Sequence, residues 1–309
     1  MLKSDHLSHR SACEPIAVVG MACVFPGAPD LNTYWRNLQN NVNSIQEVPA
    51  TRWEPCFFDT QSNASDRVYC KQGGFIDGLL TFDPLQYGIM PIAAEAAEPD
   101  QLLALHIAHQ ALNDARATEP HERHRSGIIL GRGGYMTPGM MRIANHVRFA
   151  EQLFQLLHTL LPNASETWKN SVKHAYQERF KGAAPDTAIG LVPNLVASRV
   201  ANRLDLHGPA YTVDAACASS LLAIDQACTQ LESKRVDLML AGGVHITHDI
   251  GFWSVFAQLG ALSRQGRCRP FDQHADGLLI GEGIGIIALR RLSDAEKRGD
   301  KIYAVIAGR

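Results

Sequence analysis

The chain has 309 residues, 46% apolar and 19% charged, enough to bury two ordinary domains or one large α/β domain and too apolar for disorder. Its 29 Lys plus Arg against 31 Asp plus Glu leave a formal charge of −2, with no basic footprint for nucleic acid or an anionic membrane. Seven cysteines, an odd number without a C-x-x-C pair, exclude a disulfide framework and a structural zinc site and point to a reducing, cytoplasmic setting.

Residues 1–13 are polar and read as a flexible leader. The apolar stretch that follows is no signal peptide, because Asp5 and Glu14 offset Lys3 and Arg10 ahead of it. No run of 18 apolar residues exists, so no membrane span is expected. IAVVGMA (16–22) has the pattern of a buried strand, and Asp30 is placed to cap a helix carrying Trp35 and Leu38. Residues 43–75 mix Pro, Asn, Ser and aromatics and read as a long ordered loop. Residues 100–115 predict a helix, with Leu102, Leu105, Ala108 and Leu112 on a wide apolar stripe. GIILG (127–131) predicts a strand running into glycines.

Two helices are expected over 140–161 and 166–180, broken at Pro162 and Asn163, and a third with Pro193 in its first turn, ending near Leu204. YTVDA (211–215) is a strand, 217–234 a helix, VDLMLAGG (236–243) a strand and 251–262 a helix. GIGIIALRR (283–291) is a strand, Ser293 and Glu296 form an S-x-x-E capping box, and IYAVIA (302–307) is a last strand. Strands alternating with helices, the strands apolar throughout, predict a largely parallel sheet covered on both faces.

The residues richest in chemistry lie around Cys217. A cysteine where an apolar strand turns into a helix meets free N–H groups and the positive end of the helix dipole, which favour a reactive sulfur. Ala215, Ala216, Ala218, Ser219 and Ser220 leave room for a substrate. The competing reading is a small buried hydrophobe, which suits Cys228, three helical turns further on, and is also assigned to Cys13, Cys23, Cys56, Cys70 and Cys268.

GPAYTVDAACASSLLA (208–223) resembles the active-site segment of β-ketoacyl synthases, the condensing enzymes of fatty-acid and polyketide assembly. EPIAVVGMACVFPGAPDLNTYWRNL (14–38) is similar to the opening of ketosynthase domains in type I polyketide synthases, and RCRPFDQHADGLLIGEGIGIIALRRLSDAEKRGDKIYAVIAG (267–308) to the segment closing the N-terminal half of that domain. GRGGYMTPG (131–139), the helical stretch after it and the departure of 88–115 from the commoner modular pattern resemble iterative polyunsaturated-fatty-acid and glycolipid-type synthases.

The resemblance implies an α/β thiolase-like fold layered α-β-α-β-α. This chain would hold its N-terminal half with helical insertions over 14–300, and a truncated start of the second half over 301–309. It also implies that Cys217 takes an acyl chain as a thioester for decarboxylative Claisen condensation with a malonyl unit on an acyl carrier protein. The phosphopantetheine arm would belong to the carrier, with no cofactor or metal bound by this chain, and a homodimer would be the assembly. Family enzymes use two histidines in H-G-T-G-T and N-x-G-H contexts, and none of the 13 histidines here has either. The chain alone is therefore expected not to condense. Two alternatives stay open: a non-decarboxylating thiolase-fold acyltransferase, and a non-condensing scaffold partner.

Weaker signals receive structural readings. His245 and His248 are a strand-end pair rather than metal ligands. Gly131, Gly133 and Gly134 are tight-turn glycines without a complete phosphate-loop motif. Gly281, Gly283 and Gly285 are packing positions around Glu282, an internal polar partner. Asp214 fixes the corner by hydrogen bonding, and Arg199 and Arg203 lie on a solvated or dimer-facing side rather than on a phosphopantetheine.

Overall fold

The computed structural model describes residues 14–62, 64–117, 119–180, 191–246 and 249–307; the leader 1–13 and His248 lie outside the described residues. In chain order come β1 (Ile16–Val24), α1 (Leu31–Gln39), β2 (Gln46–Glu47), β3 (Gln72–Gly74), α2 (Pro91–Ala96), α3 (Pro99–Asp114), α4 (Pro120–Arg123) and β4 (Ser126–Gly131). Next are α5 (Pro138–Ile143), a π-helical turn (Ala144–Phe149), α6 (Ala150–Leu160), α7 (Glu166–Arg179), α8 (Leu195–Leu204), β5 (Ala210–Val213), α9 (Ser219–Glu232) and β6 (Leu238–His245). The described chain ends with α10 (Ile250–Gln258), β7 (Ile280–Gly281), β8 (Gly283–Arg291), α11 (Leu292–Arg298) and β9 (Ala304–Ile306).

Six strands form the main sheet in the order β5-β4-β6-β8-β1-β9. β4 runs parallel to β5 and β6, while β8 is antiparallel to both β6 and β1, and β9 is antiparallel to β1. The sheet is thus mixed, not largely parallel. Apolar runs report burial on both faces, which antiparallel strands under helices need as much as parallel ones.

Alternate residues of each strand supply the two faces. Ala17, Val19, Ile128, Leu130, Leu240 and Ile286 pack under α3 and α8. Ile16, Val18, Ile129, Met239 and Leu289 pack against α9 through Ala223, Ala227, Cys228 and Leu231. Helix, sheet, helix is the layering expected of one half of a thiolase-like fold. A Cβ on Gly20 would lie 2.6 Å from the Ala111 carbonyl oxygen, so α3 reaches β1 only because that position is bare.

A smaller sheet, β2-β3-β7, covers a third core. There Trp253 is buried and stacks on Phe75 with ring centroids 6.0 Å apart and planes at 11°. The segment 43–75 is therefore a loop broken by two short strands and one 3₁₀ turn (Pro55–Phe57). The Asp30 cap forms, Oδ1 accepting from the Thr33 N–H at 2.7 Å.

Three local expectations change. α11 starts at Leu292 after Arg291, which makes no side-chain cap bond, and the Ser293 hydroxyl donates instead to Glu14; no capping box forms because Ser293 is already inside the helix. Pro193 lies in the turn before α8 rather than in its first turn, and its carbonyl accepts the Val196 N–H. Cys56 and Cys268 are exposed: Cys56 lies in the 3₁₀ turn between β2 and β3, and Cys268 in the irregular segment between α10 and β7.

Candidate active site

β5 ends at Val213, and a single 3₁₀ turn (Ala216–Ala218) carries Cys217 before α9 begins at Ser219. The thiol therefore sits just outside the α-helix and is exposed. Ala216 has φ 50°, in the left-handed region that costs a non-glycine residue about 1–2 kcal/mol. Strain of this kind persists only where the surroundings over-determine it. Here Asp214 accepts from the Ala216 N–H at 3.0 Å with one carboxylate oxygen and from the Gly134 N–H at 2.9 Å with the other. The Ser219 hydroxyl accepts from the Ala215 N–H at 2.9 Å and donates to the Ala216 carbonyl at 2.7 Å. Asp214 thus ties the corner to the loop after β4, as its position before the cysteine led us to expect.

Glycines set the distance between corner and sheet. A Cβ on Gly131 would meet the Ser219 carbonyl carbon and the Ser220 nitrogen at 2.5 Å, and one on Gly243 would meet the Ser220 Cβ at 2.9 Å. The glycines at 131, 133 and 134 are not in the left-handed region; Gly131 serves close approach rather than a tight turn. Across the cavity, Gly283 and Gly285 make way for the Phe25 ring, where added Cβ atoms would lie 2.4 and 3.2 Å away. Gly281 faces open space and is no packing position. Glu282 is the internal partner expected: its carboxylate accepts from Arg52 at 2.8 Å and from the Ile76 N–H at 3.2 Å, and burial pushes its pKa up.

These elements enclose a cavity of about 790 Å³ with Cys217 in its wall. Phe25, Tyr135, His245, Phe252 and Phe256 form its apolar side, and Asp214, Ser219 and Ser220 lie at the corner. Tyr135 packs edge-on against His245 at 5.0 Å between centroids, and Phe252 lies 5.2 Å from the same imidazole. Burial holds His245 below the usual histidine range and pushes Tyr135 up to about 12. The Tyr135 ring lies 5.1 Å beneath the Arg132 guanidinium, itself buried and paired with Asp100 at 2.7 Å.

The structure brings Cys217 and Asp214, both singled out from sequence, to the wall of one cavity. Sequence reasoning missed the aromatic wall, and it placed His245 at a strand end without seeing that it lines the same cavity. The pairing of Gly283 and Gly285 opposite a single large ring was the available signal for Phe25. Arg199 and Arg203 do not line this cavity. Cys228 is fully buried on α9, and burial raises the thiol of Cys23 to about 11 and that of Cys70 above its ordinary value. Among the described residues no group of three His, Cys, Asp or Glu side chains could hold a metal ion, and no helix is long and apolar enough to cross a membrane.

Comparison with known proteins gives this site its family. Residues 13–295 match the model of the β-ketoacyl synthase N-terminal domain. Polyketide synthase PksN of Bacillus subtilis is 34% identical over 299 residues, covering 96% of this chain and 5% of the relative. A mycocerosic acid synthase-like polyketide synthase of Mycobacterium tuberculosis is 33% identical over 301 residues, covering 97% of this chain and 13% of the relative. An oxazolomycin ketosynthase domain of Streptomyces albus superposes with a TM-score of 0.75 at 30% identity, over 95% of this chain and 46% of that one. A ketosynthase from module 6 of the bacillaene synthase of Bacillus subtilis superposes with a TM-score of 0.72 at 29% identity, over 95% of this chain and 43% of that one. The chain thus spans a small part of the curated relatives and under half of the solved ketosynthases. From the cysteine corner, the three-layered sheet and these matches together, the chain belongs to the β-ketoacyl synthase family and carries the N-terminal domain of a ketosynthase of the type I polyketide synthase kind.

Proposed function

We propose that Cys217 is the acyl-accepting nucleophile of a decarboxylative condensing enzyme. Its sulfur attacks the carbonyl of an acyl thioester on a carrier protein's phosphopantetheine arm. The new carbon–sulfur bond forms as the old one breaks, and the pantetheine thiol leaves with the proton that Cys217 gave up. A malonyl unit on an acyl carrier protein then loses CO₂, and its carbanion takes the acyl group from Cys217. The first half-reaction needs a nucleophile, a donor for the oxyanion and room for the chain. The Cys217 N–H, at the turn where the α-helix begins, is the donor assigned to the oxyanion. The cavity beside it supplies the room.

The observation that carries this reading is an exposed thiol held by a strained, doubly anchored turn in the wall of a large, mostly apolar cavity. No other cysteine lines that cavity among the described residues. On this reading the 309-residue chain by itself does not condense, because neither histidine context of the family occurs in it. The test is intact-protein and peptide mass spectrometry of the full protein after incubation with an acyl-carrier thioester. One acyl adduct on Cys217, absent in Cys217→Ala and lost to a malonyl-carrier protein with CO₂ release, is the expected result. An adduct that transfers without decarboxylation makes the protein a thiolase-fold acyltransferase. No adduct, with synthesis unaffected by Cys217→Ala, makes it a scaffold.

A further inference from the structure

A second, smaller cavity of about 150 Å³ lies on the outer helical layer, between the turn Leu85–Tyr87, the C-terminal half of α3, α4 and the end of α8. It shares no lining residue with the Cys217 cavity. Two arginines, Arg123 and Arg203, line it with His109, Asn113 and Tyr87, and its lining contains no Asp or Glu.

The charges there are unbalanced: Arg123 is half-buried and Arg203 exposed, and neither has the carboxylate partners that the buried arginines of the described chain have. Arg52 is paired with Glu282 and Asp77, Arg132 with Asp100, Arg290 with Glu122 and Asp300, and Arg291 with Asp237 and Asp294. Among the described residues Arg123 and Arg203 have no carboxylate partner, and the Arg123 Nε is buried with no acceptor. Arg203 spends one N–H on the Gly88 carbonyl at 3.1 Å. The Tyr87 hydroxyl lies 3.1 Å from His106 Nδ1 and 3.3 Å from His109 Nδ1 and joins the two rings. Burial, and after it the Arg123 charge, hold His109 below its ordinary pKa. The positive charge of the pocket comes from the two guanidiniums, with no carboxylate in the lining to offset them. A guanidinium taken out of water without an acceptor is costly, and the planar fork matches a tetrahedral oxyanion.

We propose that this pocket binds a compact oxyanion of the phosphate class, held between the Arg123 and Arg203 forks with Asn113 as a further donor. The volume admits a phosphate group and little more. The site is independent of the role of Cys217, so its failure would leave that assignment untouched.

The test is hydrogen–deuterium exchange of the full protein against inorganic phosphate, and in a separate arm 4′-phosphopantetheine, with chloride at matched ionic strength as reference. Saturable protection of peptides covering 105–117 and 199–206 by inorganic phosphate supports a free anion as the source. The same protection by phosphopantetheine alone supports the carrier arm as the source. The double variant R123Q/R203Q should weaken the response by about tenfold or more, since charge-assisted bidentate contacts are the strong ones. Arg203→Gln alone, at an exposed position, should weaken it in the same direction, with an unchanged denaturation midpoint confirming that the fold is kept. Absence of saturable protection by either probe, or an unchanged response in R203Q, overturns the proposal.

Discussion

The two faces of the main sheet are built to different ends. Under α3 and α8 the packing is complete: Ala104, Leu105, Ile128, Leu130 and Ile286 are buried, and bare positions such as Gly20 bring helix and strand into backbone contact. On the other face, among the described residues, α9 packs on the sheet through Ala223, Ala227, Cys228 and Leu231. Cys228 and Leu231 are buried at its C-terminal end, but Leu221 at its start is 71% exposed, and Ile224 and Ile287 line the open cavity beside Cys217. One face is therefore covered by packed helices, and the other carries the cysteine corner in a chain that spans under half of the ketosynthases it superposes on. A strained residue such as Ala216 can sit at that corner because the covered face fixes the strand that leads into it.

The contrast is broken most severely from the covered side. Leu105→Ala removes a fully buried side chain and should cost about 2–5 kcal/mol in chemical denaturation, with the site's alkylation lost only as the chain unfolds. Gly131→Ala strikes where the faces meet. Its Cβ would press on the backbone of Ser219 and Ser220, so a loss of about 1–3 kcal/mol is expected, together with slower Cys217 acylation at full folding. Acylation as fast as in the parent protein would show that the corner's position does not matter.

Changes on the cysteine face should be smaller for stability and larger for reactivity. His245 has a folded pKa below that of an unfolded histidine, so the unfolded chain takes a proton that the buried ring refuses. Stability is then highest above about pH 6.5 and falls as pH drops from there, with a slope per histidine of at most about 1.4 kcal/mol per pH unit. His106 and His109 are shifted the same way, so His245→Gln should reduce this slope without abolishing it, as read from denaturation midpoints between pH 5 and 7.5. Asp214→Ala removes the acceptor of two backbone N–H groups and should cost about 1 kcal/mol while slowing iodoacetamide alkylation of Cys217. Leu221→Ala should stay within about 0.5 kcal/mol of the parent, as an exposed position away from any packed group. A larger loss would mean that Leu221 is covered in solution.

Sequence alone located most elements, because a helix stripe or an apolar strand is a local periodic signal. It picked out Cys217 and Asp214, because a strand-to-helix corner of small residues with an acceptor beside it is a local sequence pattern. It also carried the family through three ordered segments, 14–38, 208–223 and 267–308. Strand direction was beyond it, since burial on both faces writes the same apolar run whichever way a strand points. So was the cavity wall: Phe25, Tyr135 and the neighbouring His245 and Phe252 come from three distant parts of the chain and meet because the order β4-β6-β8-β1 brings β1, β4 and β6 to one cavity. The unbalanced arginines of the second cavity were hidden for the same reason. A guanidinium's partner is set by the fold around it, and residues 123 and 203 approach only when α4 and α8 pack across the outer layer.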